Sequence, residues 1–400
     1  MAVIYRIYWL KKIYIFNYRD ETMKKICVVV GTRPEAIKMA PVILELRKNS
    51  SNFDVTVCST GQHATMLDSA LASFGLRADI GISVMKPGQT LAELTSNILL
   101  GLSSRFKEMT PDLVLVHGDT ASAMAGALAA FYNQIEVGHV EAGLRTGDLL
   151  SPFPEEYNRR SVSIATKYHF APTPSAKDNL VNEGVDQSQI ILTGNTVIDA
   201  LLLTISDLKE NPDKISRVRA NLSSSLGFIP DEKRFILITA HRRENFGAGM
   251  DNICHSICSL AKANPELHFV YPVHLNPIVK NVVDLMLGGV TNVSLIPPQD
   301  YLHFAWLMHH CVLVLTDSGG IQEEAPALGK PVLVMRDTSE RPEAILAGTA
   351  KLVTTDPETI IRETQILISD HDAYLKMARA SNPFGDGLAA KRISEYLISL

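Results

Sequence analysis

Asp119 and Glu141 each follow an apolar run, Leu113–Val116 and Ile135–Val140, in the strings HGDT (117–120) and GHVEAGLRT (138–146). Glu155 and Glu156 lie in SPFPEEYNRR (151–160), a proline-held segment that ends in Arg159 and Arg160. His241 comes directly after the run Phe235–Thr239, in AHRREN (240–245). Taken singly, each acid reads as a helix cap or one side of a surface ion pair. Three acids converging with His241 and several arginines are hard to explain as caps. Such a set suits acid–base chemistry, because close carboxylates push each other's pKa values apart.

A second set suits an anion. Arg33 and Lys38 stand at a helix entrance after Gly31, where free N–H groups and the helix dipole favour a phosphate. An Arg33–Glu35 link reads equally well. The loop lacks the three spaced glycines of a dinucleotide fingerprint and is not a P-loop. Pro34 fits a first helical turn, whereas Pro41 is expected to free the carbonyl of Ile37 and kink or restart the helix. Ser318-Gly319-Gly320 before a short helix is the stronger signal. Two glycines admit a ligand close to the backbone, the helix start offers N–H donors, and Ser318 can cap. Glu323 and Glu324 follow in the same turn, where a carboxylate suits ribose hydroxyls and not phosphate.

The elements that must position these residues alternate along the chain. Apolar strand runs Ile26–Val30, Phe53–Cys58, Leu113–Val116, Ile135–Val140, Tyr168–Ala171 and Ile190–Leu192 form one series. Phe235–Thr239, His268–Tyr271, Val293–Leu295, Val312–Leu315 and Pro331–Met335 form another. Helical patterns such as Ser122–Tyr132, Asp251–Ala263 and Pro357–Ile368 separate them, and a polar helix is expected over Leu202–Leu222. Strand–helix alternation predicts an α/β fold of two doubly wound, Rossmann-like domains with parallel sheets. The expected division is 23–195 and 196–383, with a terminal helix in 384–400 returning to the first domain. Ligands bind outside the carboxyl ends of such strands, so the polar loops place the site in the cleft between the domains.

The 400 residues carry 38 basic and 43 acidic side chains, a formal net charge of −5, which speaks against non-specific nucleic-acid binding. No apolar run approaches the roughly 18 to 20 residues of a membrane span. Residues 1–22 look foreign to the rest of the chain, with Met23 opening a strand, and they are left out of the mechanism. Cys27, Cys58, Cys254, Cys258 and Cys311 match no zinc spacing and read as reduced structural thiols, with no metal site and no disulfide. His139, His169, His274, His303, His309 and His310 read mostly as satisfied structural histidines.

GTRPEAIKMAP (31–41), HGDT (117–120), GHVEAGLRT (138–146), FPEEYNR (153–159), TAHRREN (239–245), PPQDYLHF (297–304), TDSGGIQEEAP (316–326) and ERPEA (340–344) closely resemble the non-hydrolysing UDP-N-acetylglucosamine 2-epimerases. The resemblance runs in order from about Met23 to the end. It implies the glycosyltransferase-B architecture, a cytosolic homodimer, and no nicotinamide or required metal. The implied reaction interconverts UDP-GlcNAc and UDP-ManNAc by expelling UDP to form 2-acetamidoglucal and adding it back. By motif, Arg33, Lys38, Ser318 and Gly319, with Gly320 beside them, match diphosphate contacts. Gln299 and Phe304 match the uracil site, Glu324 the ribose carboxylate and Arg341 another nucleotide-sugar contact. Asp119, Glu141, Glu155 and His241 match the catalytic positions, with Arg159 orienting Glu155 or the phosphates. Gln62, His63 and His274 match the region of an activating UDP-GlcNAc pocket. Ala64 stands where many members carry Arg, so weak or absent cooperativity is expected. A hydrolysing epimerase that releases ManNAc, a glycosyltransferase of the same fold and a silent nucleotide-sugar sensor are the rival readings.

Overall fold

The computed structural model describes residues 23–61, 64–82, 84–85 and 88–400, leaving aside the side chains of residues 64 and 65. Gln62 and His63 lie outside the described residues, as does the extension over 1–22. The first half runs β1 (Lys24–Val30), α1 (Arg33–Lys48), β2 (Phe53–Ser59), α2 (Ala64–Ser73), β3 (Ile80–Gly81), α3 (Leu91–Met109), β4 (Leu113–His117), α4 (Ala121–Tyr132), β5 (Glu136–Val140), α5 (Glu155–Ala165), β6 (Tyr168–Ala171), α6 (Pro174–Asn182) and β7 (Ile190–Leu192). Its strands form one parallel sheet in the order β3-β2-β1-β4-β5-β6-β7.

Two helices, α7 (Thr196–Glu210) and α8 (Pro212–Leu226), lead to the second half. There follow β8 (Phe235–Thr239), α9 (Ala248–Ala263), β9 (His268–Pro272), α10 (Pro277–Leu287), β10 (Val293–Ile296), α11 (Tyr301–His310), β11 (Val314–Thr316), α12 (Gly319–Ala327), β12 (Val332–Val334), α13 (Pro342–Leu346) and β13 (Ala350–Leu352). The second sheet is also parallel, in the order β10-β9-β8-β11-β12-β13. The chain ends with α14 (Pro357–Ser369), α15 (His371–Ala378) and α16 (Ala389–Ser399).

Strand alternation sorts each sheet's residues to two buried faces. From β1, Ile26, Val28 and Val30 pack with Met39, Val42, Ile43 and Leu46 of α1 and with Ile393 and Leu397 of α16. Cys27 and Val29 face the other way, onto Ile98, Leu102 and Phe106 of α3 and the alanines of α4. In the second half Phe235 and Leu237 meet α7 and α11, while Ile236 and Ile238 meet α9. Helix α7 packs on α1, α11 and α12, and so spans both halves.

Pro41 does not break α1, which runs unbroken over its 16 residues. An interior proline costs about 3 kcal/mol. Met39, Val42, Ile43 and Leu46 are all 0% exposed, and each buried side chain returns about 1.5–3 kcal/mol. The helix expected over Leu202–Leu222 is two helices, because Asn211-Pro212 ends one and starts the next. Strands β3 and β13 escape a reading by apolar runs because β3 is only two residues, Ile80-Gly81, and β13 carries Lys351 at its centre. No helix among the described residues is long and apolar enough to cross a membrane.

Candidate active site

The loop after β1 is set by close contact. A Cβ on Gly31 would lie 1.9 Å from Ser122 Oγ and 2.6 Å from Thr60 Oγ1, so only glycine fits. Glu35 does not pair with Arg33. Its carboxylate closes a capping box, accepting from the N–H groups of Gly31 at 3.0 Å and Thr32 at 2.7 Å, and it accepts from Thr120 Oγ1 at 2.7 Å. This ties the β1 loop to the β4 loop. Burial pushes the Glu35 carboxyl up to about 6, against the opposing hydrogen bonds. Arg33 reaches instead toward the start of α11, lining a small cavity with Asp300 and Tyr301.

Glu141 stands at the end of β5 with φ +63°, a left-handed conformation that costs a non-glycine residue about 1–2 kcal/mol. Strain of this kind is retained where neighbours over-determine it. Glu141 forms an ion pair with Lys38, accepts from Asn195 Nδ2 at 2.9 Å, and has His117 Nε2 3.7 Å away. Burial raises its carboxyl, but Lys38 and His117 overcome this and hold it well below the usual range. Burial likewise lowers Lys38, yet Glu141 and Glu323 raise it overall, so the ammonium is held. Asp119 moves the other way. Burial raises it despite an ion pair with Arg159 at 2.6 Å, and Glu141 and Glu155 add to the rise.

Glu155 begins α5, and its Oε2 is buried with no hydrogen-bond partner among the described residues. Glu156 is spent on structure: it accepts from the N–H groups of Thr146 and Gly147 and pairs with Arg159 and Arg160. Arg159 thus orients Asp119 and Glu156, and does not bond Glu155. Arg145 is committed to Glu183, Ser163 and the Leu144 carbonyl.

In the second half, Asp317 at the end of β11 is fully buried, and its Oδ2 accepts from the N–H groups of His241 at 2.8 Å and Arg242 at 2.7 Å. Asp317 Oδ1 lies 3.8 Å from His241 Nδ1. The His241 ring stacks on His274 with centroids 5.3 Å apart. Burial lowers the His241 pKa, with Asp317 opposing, which favours a neutral ring able to take up a proton. No bond joins His241 to Asp119, Glu141 or Glu155 among the described residues; those acids gather on the first half and His241 on the second.

Ser318 precedes α12, but its hydroxyl makes no cap bond; its own N–H donates to Thr316 Oγ1 at 2.9 Å. The helix start is left without a serine cap, although the extended backbone of Ser318 is one that capping residues adopt. A Cβ on Gly319 would lie 3.6 Å from Glu340 Oε2, 3.7 Å from Arg242 Nη2 and 3.9 Å from Arg341 Cζ, so two guanidiniums and one carboxylate overlook this helix start. Arg341 pairs with Glu323, and Arg336 with Glu244 and Glu340. Gly320 sits beside Glu324, whose carboxylate accepts from Tyr301 OH at 3.2 Å. Gln299 bonds the Pro297 carbonyl at 2.7 Å just before α11, and Phe304 packs on the second core from α11 itself.

The two edges face each other. A cleft of about 580 Å³ is lined by Thr146, Asp148 and Ser151 of the first half and by Arg242, Arg336 and Glu340 of the second. His117, Asp317 and Asn195 are the members that sequence patterns miss, although HGDT, TDSGG and GNT mark their strand ends. His117 is buried, with neither ring nitrogen hydrogen-bonded, and burial lowers it to about 4. The expectation of satisfied structural histidines holds only in part. His139 bonds the Gly118 carbonyl through Nε2, but its Nδ1, like one ring nitrogen each of His169, His309 and His310, is buried without a hydrogen-bond partner among the described residues.

The family profile described as UDP-N-acetylglucosamine 2-epimerase matches residues 44–398. The chain is 53% identical to the UDP-N-acetylglucosamine 2-epimerase of Escherichia coli strain K12 over 373 residues, 93% of this chain and 98% of its relative. The crystal structure of UDP-GlcNAc 2-epimerase from Neisseria meningitidis bound to UDP-GlcNAc is 51% identical, with a TM-score of 0.84, covering 94% of this chain and 100% of that one. That of Methanocaldococcus jannaschii UDP-GlcNAc 2-epimerase in complex with UDP-GlcNAc and UDP is 32% identical, with a TM-score of 0.76 and coverage of 94% and 100%. Two doubly wound halves around one cleft make a glycosyltransferase-B-like fold, and the chain belongs to the UDP-N-acetylglucosamine 2-epimerase family.

Proposed function

We propose that the protein interconverts UDP-GlcNAc and UDP-ManNAc without releasing the nucleotide. The observation that carries this is the opposition of two edges. The raised Asp119, the ionised Glu141 and Glu155 gather on the first half, while the α12 start with Arg242 and Arg341 lies on the second.

C2 of the sugar is not flanked by a carbonyl, so its proton cannot simply be abstracted. Breaking the C1–O bond solves this. The bonding electrons leave with the β-phosphate oxygen of UDP, and the C2–H pair forms the ring double bond as its proton passes to a carboxylate. The product is 2-acetamidoglucal. UDP then adds back at C1 while a proton reaches C2 from the opposite face. Asp119, Glu141 and Glu155 supply acid and base in this reading, with His241 opposite them. Arg33, Lys38, Arg341, Ser318, Gly319 and Gly320 hold the diphosphate, where fixed cations and N–H donors favour the charge that develops on departure. Glu324 takes the ribose hydroxyls, and Gln299 and Phe304 the base.

In this reading the protein acts in the cytoplasm as a homodimer, as the resemblance implies. Leu100, Phe131, Tyr132 and Ile164 support the dimer: they stand 59% to 88% exposed on the neighbouring helices α3, α4 and α5. Proton NMR of UDP-GlcNAc incubated with the protein tests the reaction. UDP-ManNAc without free ManNAc is the expected product; free ManNAc with UDP identifies a hydrolase instead. Sedimentation velocity tests the dimer, and a monomer at assay concentration would overturn that assignment.

A further inference from the structure

The side-chain amide of Asn195 joins carboxylates from opposite halves. Its Nδ2 donates to Glu141 Oε2 at 2.9 Å and to Glu323 Oε2 at 2.8 Å, while its Oδ1 accepts from the N–H of Val197 at 3.1 Å. The residue is 2% exposed. Asn195 also stands where the chain leaves the first sheet for α7 and touches the segment that returns to α16. Its N–H donates to the Phe384 carbonyl at 2.7 Å, and Gly194, at φ +88°, lies against Gly385.

Capping α7 needs only the oxygen, and Ser, Thr or Asp would serve as well. Of these residues only Asn also brings two N–H donors, and both are used here. Each carboxylate is engaged again further on, Glu141 with Lys38 and Glu323 with Arg341. An unbroken path of contacts therefore runs from the Lys38–Glu141 pair, through one amide, to an arginine beside the α12 start.

We propose that Asn195 is a positioning residue whose amide ties the setting of Glu141 to the Glu323–Arg341 pair. The acid–base carboxylate is then in place only when the nucleotide-binding half is seated against the first. This deepens the proposed epimerase function and rests on it.

Asn195→Ser and Asn195→Asp, made in the full chain, both keep a capping oxygen. In each, kcat is expected to fall by about tenfold to a hundredfold, the effect of losing a hydrogen bond to a charged group. UDP affinity should stay within about threefold. The acid limb of the kcat–pH profile should move to higher pH in Asn195→Asp. There Glu141 loses a donor and faces a new carboxylate, in addition to Lys38, His117, Asp119 and Arg341 around it. Unchanged kcat and acid limb in both variants would overturn the proposal, as would loss of folding in both, which makes the Asn195 amide a structural tie and not a positioning group. If only one variant folds, it carries the same comparison. A wild-type protein that leaves UDP-GlcNAc unaltered removes the proposed function itself, a result separate from any effect of the variants.

Discussion

Burial raises the Glu324 carboxyl to about 7 from an ordinary 4.5, with the like charge of Glu323 adding to the rise and Lys38 and Tyr301 opposing it. A folded-state pKa above the unfolded one means that the folded protein binds more protons in between. The stability this gives is complete below pH 4.5 and is lost as pH rises through 7. Glu324→Gln removes that loss. The variant should therefore gain on the wild type between about pH 4.5 and 8, by at most about 3 kcal/mol. Urea unfolding at about pH 5 and about pH 8 measures this, and an equal difference at the two values would contradict it. At the residues proposed for acid–base chemistry, Asp119→Asn, Glu141→Gln and Glu155→Gln should each lower turnover by roughly a hundredfold or more, the scale of a lost acid–base group. UDP affinity should change little. Near-normal rates in all three would take the chemistry away from these carboxylates.

The loops succeed as positioning devices because of what stands beneath them. Gly31→Ala would drive a methyl into the hydroxyls of Ser122 and Thr60, which lie 2.8 Å apart in a hydrogen bond. Overpacking of this kind costs about 1–3 kcal/mol. The loop carrying Arg33 and Lys38 should shift, lowering the melting temperature and weakening UDP binding together. A variant with wild-type melting and affinity would show the contact to be unimportant. The strands that end in these loops were legible in the sequence, because runs such as Phe235–Thr239 and Tyr168–Ala171 are apolar on both faces, as parallel strands must be. The edge strands β3 and β13 were not legible, because two residues make no run and Lys351 interrupts the other. The continuity of α1 through Pro41 was hidden as well, since tertiary burial and not local propensity decides it.

At the scale of the whole molecule, the opposition of two sheet edges followed from strand ends alone. The partners within the cleft did not. Asp317 meets His241 across 76 residues and Asn195 meets Glu323 across 128, and no local pattern encodes bonds of that span. The Arg33–Glu35 pair and the Ser318 cap, both sensible locally, gave way to a capping box shared with Thr120 and to a helix start without its serine cap. In the proposed reading these contacts serve to retain UDP beside an unsaturated sugar. Incubation with UDP-GlcNAc in deuterium oxide, with proton NMR as the readout, tests this most directly. The account predicts deuterium at C2 in both nucleotide sugars, with UDP and N-acetylated sugar still joined at equilibrium. UDP-ManNAc formed with its C2 hydrogen intact would contradict it.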